Sequence, residues 1–333
     1  MRVLVTGGAG YVGSVSVDAL LGAGHDVVVL DDLSTGPRGA VAERARLVAG
    51  TYADGESVAG LLEAERIEAV LHCGARSLVG ESMEDPARYY RDNVAGGVAL
   101  LEAARRVGVP RFVFSSSAAV YGVPDETPIA ESAALHPINT YGETKRAFEA
   151  ALAAYGAAYG LRSVTIRYFN VAGATELRGE DHDPETHLIP NVLRAAEGGP
   201  SADPVRLFGD DYPTPDGTCI RDYIHVVDLA GAHLLALEAT AAGDPRTDAP
   251  LVCNLGSGGG FSVREVLDAA ERVVGRPIPQ RVVARRPGDP PVLVAAIERA
   301  AEVLGWRPER SSLEAMIASA WAWRRRNPGG YRS

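Results

Sequence analysis

Short apolar runs without alternation recur along the first half of the chain, at 2–6, 26–30, 69–73, 111–115 and 163–168, with a weaker one at 46–49. Helix-period patterns lie between them, over 12–21, 86–107 and 141–159. Apolar strands joined by helices predict a parallel sheet covered on both faces. This is α/β, a doubly wound Rossmann-type sheet. After Asn170 the texture changes. Stretches 174–186 and 198–218 are rich in Gly, Pro, Asp and Thr, and they separate short strands from helices predicted at 188–197, 226–238, 263–274 and 313–325. We therefore expect a dinucleotide-binding domain over 1–170 and a smaller, irregular α/β domain over 171–333. Part of 219–250 is expected to return to the first domain.

The length of 333 residues agrees with about two domains at roughly 150 residues each. Hydrophobic residues at 46% and charged residues at 23% are ordinary for a globular protein and exclude a disordered one. A formal net charge of −10 argues against nucleic acid or an acidic membrane as partner. There is no signal-peptide pattern and no apolar stretch near the ~18 residues that a membrane helix requires. Cys73, Cys219 and Cys253 have no metal-binding spacing and read as reduced thiols. A cytoplasmic protein without a metal is the expectation.

Two constellations carry chemistry. Gly7, Gly10 and Gly13 sit between the first strand and the first helix. A tight turn needs glycine there, and a pyrophosphate needs backbone N–H groups at a helix N-terminus. Asp31 ends the second strand, 21 residues after Gly10. An acid there bonds the adenosine ribose and repels a 2′-phosphate, so NAD is favoured over NADP. The loop from Asp32 through Leu33, Ser34 and Thr35 to Gly36 would lie beneath the adenosine.

The second constellation is Tyr141 and Lys145, four residues apart on one helix face. Of the 33 Lys and Arg residues, Lys145 is the only lysine. A cation beside a tyrosine favours the phenolate. Moving a phenol from about 10 toward 7 corresponds to roughly 4 kcal/mol. Ser117 ends the strand at 111–115, where ligands bind in such sheets. It could bond the reacting hydroxyl and relay its proton to Tyr141.

These motifs together resemble the extended short-chain dehydrogenase/reductases, an NAD-dependent epimerase/dehydratase group. The strings Val79-Gly80-Glu81-Ser82, Arg167-Tyr168-Phe169-Asn170, Asp211-Tyr212-Pro213-Thr214 and Arg221-Asp222-Tyr223-Ile224-His225 narrow the resemblance to the UDP-glucose 4-epimerase family over essentially the whole chain. The resemblance implies interconversion of UDP-glucose and UDP-galactose. Tyr141 would take the 4-hydroxyl proton, bound NAD⁺ the C4 hydride, and the 4-keto sugar would turn before reduction on its other face. It implies cofactor contacts from Tyr11, Val12, Asp31 to Gly36, Thr51, Tyr52, Cys73, Gly74, Ala75, Arg76, Ser77, Asn93, Ser117, Tyr141, Lys145 and Phe169. It implies a UDP grip by Asn170, His187, Leu188, Val205, Arg206, Leu207, Phe208, Arg221, Tyr223, Arg286 and Asp289. A guanidinium fork at Arg221 or Arg286 suits a diphosphate.

Departures from the family pattern also inform. Thr51 replaces an Asp and can accept one bond without charge. With Cys73-Gly74-Ala75 ahead of it, Arg76 or Ser77 takes the place of a Lys near the cofactor. Ala118 and Ala119 stand where a 4,6-dehydratase carries its proton-transferring acids. Leu293 stands where a bulky aromatic excludes N-acetylated sugars, so UDP-N-acetylglucosamine and UDP-N-acetylgalactosamine are expected to fit. Alternatives are another nucleotide-sugar epimerase or a decarboxylase of the same group and, from another class, an NAD-binding regulator without turnover. The family also suggests a homodimer through the helices at 93–107 and 141–159.

Overall fold

The computed structural model describes residues 1–199, 203–286 and 289–331. The first half alternates as the pattern predicts: β1 (Arg2–Thr6), α1 (Tyr11–Gly22), β2 (Asp26–Asp31), β3 (Arg46–Ala49), α2 (Gly55–Ala64), β4 (Ala69–His72), α3 (Val79–Glu84), α4 (Pro86–Tyr89), α5 (Gly96–Val107), β5 (Arg111–Ser115), α6 (Thr140–Tyr159) and β6 (Arg162–Tyr168). The second half adds β7 (Asn170–Ala172), α7 (Leu188–Gly198), β8 (Val205–Phe208), β9 (Ile220–Arg221), β10 (Tyr223–His225), α8 (Val226–Ala239), β11 (Leu251–Leu255), β12 (Phe261–Ser262), α9 (Val263–Val274), β13 (Gln280–Val283), β14 (Val292–Leu293), α10 (Glu298–Leu304) and α11 (Leu313–Arg326).

Seven strands form one parallel sheet in the order β11-β6-β5-β4-β1-β2-β3. Alternate side chains of β1 leave in opposite directions. Val3 and Val5 join the layer of α1 and α8, and Leu4 joins the layer of α2, α5 and α6. All three are fully buried, which is why these strands read as unbroken apolar runs. A separate core of α7, α9, α11 and the β8–β13 pair builds the smaller lobe.

Two expectations change. The helix expected over 86–107 is interrupted by a π-helical segment, Tyr90–Ala95, between α4 and α5. Its widened turn points Asn93 inward, where the amide bonds the backbone of Arg76 and the hydroxyl of Thr144. The return of the chain also reaches beyond 219–250. Helix α8 packs on α1, β11 extends the large sheet beside β6, and α10 joins the same core through Ala300 and Leu304. Strand β11 is only five residues long, and only its pairing with β6 assigns it to the large sheet.

Candidate active site

One cleft of about 1760 Å³ runs along the carboxyl edge of the sheet and continues against the smaller lobe. At one end lies the glycine turn. Gly7 has φ +69°, and a Cβ there would stand 2.6 Å from the backbone of Gly74. A Cβ on Gly13 would overlap the Gly7 carbonyl. Helix α1 begins without a side-chain cap, at Gly10. The first N–H groups of the helix therefore face the cleft at Tyr11, Val12 and Gly13. This cradle suits a pyrophosphate.

Asp31 lies at the adjoining strand end. Its two oxygens accept from the backbone of Ala9 and Leu33, each at 2.9 Å. Burial raises its carboxyl, and these two bonds pull it back. Each oxygen retains a lone pair for a ribose hydroxyl. Asp32, Ser34, Thr35, Thr51 and Tyr52 line the same end of the cleft. The Thr51 hydroxyl accepts from the Ala53 N–H at 3.1 Å.

Four expected contacts do not line the cleft. Leu33 contributes its backbone N–H to Asp31, at a left-handed φ of +58°. Gly36 is packed against Ala9. Asn93 is a brace behind the wall, tied to Arg76 and Thr144. Leu207 points into the core of the smaller lobe because strand alternation sends Arg206 and Phe208 the other way. Arg76 lines the cleft, but its guanidinium is drawn to Asp92 at 3.2 Å. Cys73, Gly74, Ala75 and Ser77 complete the stretch along the cleft. Burial pushes the Cys73 thiol up to about 11.

The catalytic candidates meet in the middle. Asn139 caps α6 by accepting from Gly142 N–H at 2.8 Å, and Tyr141 follows in the first turn. Lys145, one turn on, is buried and donates to the Ser115 carbonyl at 2.7 Å. Its ammonium lies 4.7 Å from the Phe114 ring centre and 5.8 Å from that of Tyr141. Burial lowers it to about 8. The expectation that this charge brings the phenol down is not met. Burial holds Tyr141 above the ordinary tyrosine value, and the Ser117 hydroxyl pulls it back. The reason is placement, since the ammonium is engaged by the Ser115 carbonyl and sits nearer Phe114. Phe169 and Asn170 continue the wall at the end of β6. Asn170 is fixed by its backbone N–H and amide, both 3.1 Å from the Asp222 carbonyl.

The far end belongs to the smaller lobe. His187 and Leu188 open α7, and Val205, Arg206 and Phe208 come from β8. Arg221 pairs with Asp289 at 2.5 Å, so one of its nitrogens already has an anion. Arg286 stacks on Phe208 at 3.8 Å. Pro287 and Gly288, which follow Arg286, lie outside the described residues. Tyr223 is buried, and its phenol is raised by that burial. Leu293 lines the cleft between the two ends.

Sequence reading missed two groups. Buried Asp222 accepts from the N–H groups of Ser257, Gly258 and Ala295 and joins three loops behind the site. Glu180, His182 and Glu185 gather around His187 on the cleft wall. In the sequence they look like an ordinary polar loop.

A family model described as the NAD dependent epimerase/dehydratase family matches residues 3–256. The chain belongs to this family. A UDP-glucose 4-epimerase of Corynebacterium glutamicum is 50% identical over 323 residues, covering 97% of this chain and 95% of that one. A crystal structure of a UDP-glucose 4-epimerase superposes with a TM-score of 0.95 at 47% identity, covering all of both chains. The Bifidobacterium longum UDP-glucose 4-epimerase in complex with NAD⁺ and UDP gives 0.92 at 36% identity, covering 99% of this chain and 100% of that one. Within the epimerase/dehydratase family, then, this chain is similar over its full length to UDP-glucose 4-epimerases. The seven-stranded parallel sheet agrees with that kinship.

Proposed function

We propose that this protein is an NAD-dependent isomerase that interconverts UDP-galactose and UDP-glucose at carbon 4 of the hexose. The observation that carries the reading is the continuity of the cleft. The glycine cradle, the buried Tyr141–Lys145 pair and the arginines of the smaller lobe all border one space. The cradle, the uncapped start of α1 and Asp31 fit NAD, which when bound supplies a hydride acceptor and donor beside the sugar.

The chain's own groups do the rest. Tyr141, with Ser117 beside it, accepts the 4-hydroxyl proton and later returns it. Lys145, a compact point charge buried one turn from Tyr141, would reach the ribose hydroxyls of the bound cofactor. Arg221 and Arg286 hold the diphosphate while the hexose turns between them and Tyr141. With Arg221 already paired to Asp289, Arg286 carries more of that contact. Asp289 in turn orients the Arg221 fork.

Two copies are proposed to pair through α5 and α6. The outer face of α6 is rich in alanine, with Ala150, Ala153, Ala154 and Ala157 exposed, and small side chains allow close helix approach. Light scattering should then report twice the mass of one chain. No helix among the described residues is long and apolar enough to cross a membrane. We place the protein in the cytoplasm, in keeping with three free cysteines.

The deciding experiment is incubation of the purified protein with UDP-galactose and no added NAD. UDP-glucose should accumulate to equilibrium. No product from folded, NAD-loaded protein would overturn the reading.

A further inference from the structure

We propose that Glu180, His182, Glu185 and His187 form a closed site for a divalent transition-metal ion of the zinc class. Each offers one donor atom, and the four donors lie within 4.8 Å of one another. His187 Nδ1 stands 2.8 Å from Oε1 of both Glu180 and Glu185, and His182 Nδ1 stands 3.0 Å from Glu180 Oε1. Two imidazole nitrogens and two carboxylate oxygens thus form one compact cluster. A tetrahedron of zinc bonds near 2.0–2.1 Å has donor–donor edges of about 3.3 Å. The three His–Glu spacings fall a few tenths of an ångström short of that edge and the other donor pairs lie within 4.8 Å, so small side-chain shifts would close the four on an ion.

Burial requires positive charge at this point, from protonated imidazole or from an ion. The side chains of Glu180 and Glu185 are only 7% and 1% exposed. Two neighbouring carboxylates removed from water are costly unless positive charge compensates them. Among the described residues, the ion pairs of these two glutamates go to the two histidines alone, with no arginine in reach. In a chain with so many arginines, the choice of imidazole here is chemically pointed. Imidazole and carboxylate are ligands that suit zinc and its first-row neighbours. Further contacts hold the donors in place. Glu185 Oε1 accepts from the N–H groups of Thr186 and His187 at 2.8 Å, and the Tyr11 ring stands edge-on to His182 at 6.3 Å.

The location suggests the consequence. His187 is the residue from which α7 starts, and Tyr11 starts α1 at the glycine turn. An ion held by all four side chains would tie the loop entering the smaller lobe to the nucleotide end of the cleft. With no coordination position left open, it would act by positioning α7, not by activating water.

The test uses the full-length protein, stripped with a chelator and titrated with Zn²⁺ against a chromophoric competitor. We expect about one ion per chain and, with Co²⁺ instead, the intense visible absorption of tetrahedral geometry. His182→Gln should weaken binding by roughly a hundredfold or more, because a ligand is lost outright. His182→Cys, which restores a zinc donor, should recover most of it. In the metal-free protein the KM for UDP-galactose should rise while kcat changes little. Absence of stoichiometric binding would overturn the proposal. So would unchanged affinity in His182→Gln, or loss that His182→Cys fails to recover.

Discussion

Changing Tyr141 to Phe keeps the ring that fills the cleft wall and removes only the hydroxyl. If that hydroxyl is the proton acceptor, turnover should fall by roughly 10²–10⁴-fold, the usual contribution of a positioned acid–base group. NAD should remain bound at its original stoichiometry, measured by absorbance after denaturation. Leu293 offers a second test. It lines the cleft with a side chain smaller than an aromatic. Wild-type protein is expected to turn over UDP-N-acetylglucosamine, and Leu293→Tyr should lose that activity while retaining UDP-glucose turnover. Parallel assays on the two substrates decide this. At this scale the sequence was informative wherever spacing along one element encodes proximity, as for Tyr141 and Lys145. It was uninformative about Arg76, whose guanidinium is taken by Asp92, and about Leu207, whose direction follows from which face of β8 meets the core.

Helix α6 must present Tyr141 and Lys145 to the sheet edge in one register. A buried pair fixes it there. Arg167 of β6 meets Glu149 of α6 at 2.5 Å, and Ser116 donates to the same carboxylate at 2.5 Å. Both charged side chains are nearly inaccessible, at 5% and 8%. Glu149→Ala would leave a buried guanidinium without its anion, a change that costs about 3–5 kcal/mol. Urea unfolding should show that loss. Replacing both partners with apolar residues of similar size should recover much of it. Glu149 sits midway along a helix pattern and Arg167 near the end of a strand pattern, so nothing local joins them. The π-helical segment has the same character. Its cause is the set of partners that Asn93 finds on Arg76 and Thr144, both distant in the chain.

Across the whole molecule, acid stability rests partly on His72 and His233. Burial lowers both to about 3. An unfolded histidine titrates near 6.5, so between about 6.5 and 3 the unfolded chain binds protons that the folded protein refuses. Stability is therefore full above pH about 6.5 and declines as pH falls toward 3. From pH 7 to 5, each of these histidines should cost about 2 kcal/mol. His233 bonds Ser16 and Ser115, and His233→Gln keeps a polar partner there while removing the titration. The acid slope of the unfolding free energy should drop by one histidine's share, read from urea midpoints at pH 7 and pH 5.

The chain's apolar periodicity was enough to determine the parallel sheet, the glycine turn and the Tyr–Lys helix, because each is a short-range pattern of Cβ directions and backbone freedom. Tertiary structure alone decided that β11 and α10 join the large core, that Asp222 gathers three loops, and that two glutamates and two histidines meet. Those outcomes depend on which distant surfaces close on each other, and burial rewards such closure without leaving any periodic trace in the sequence.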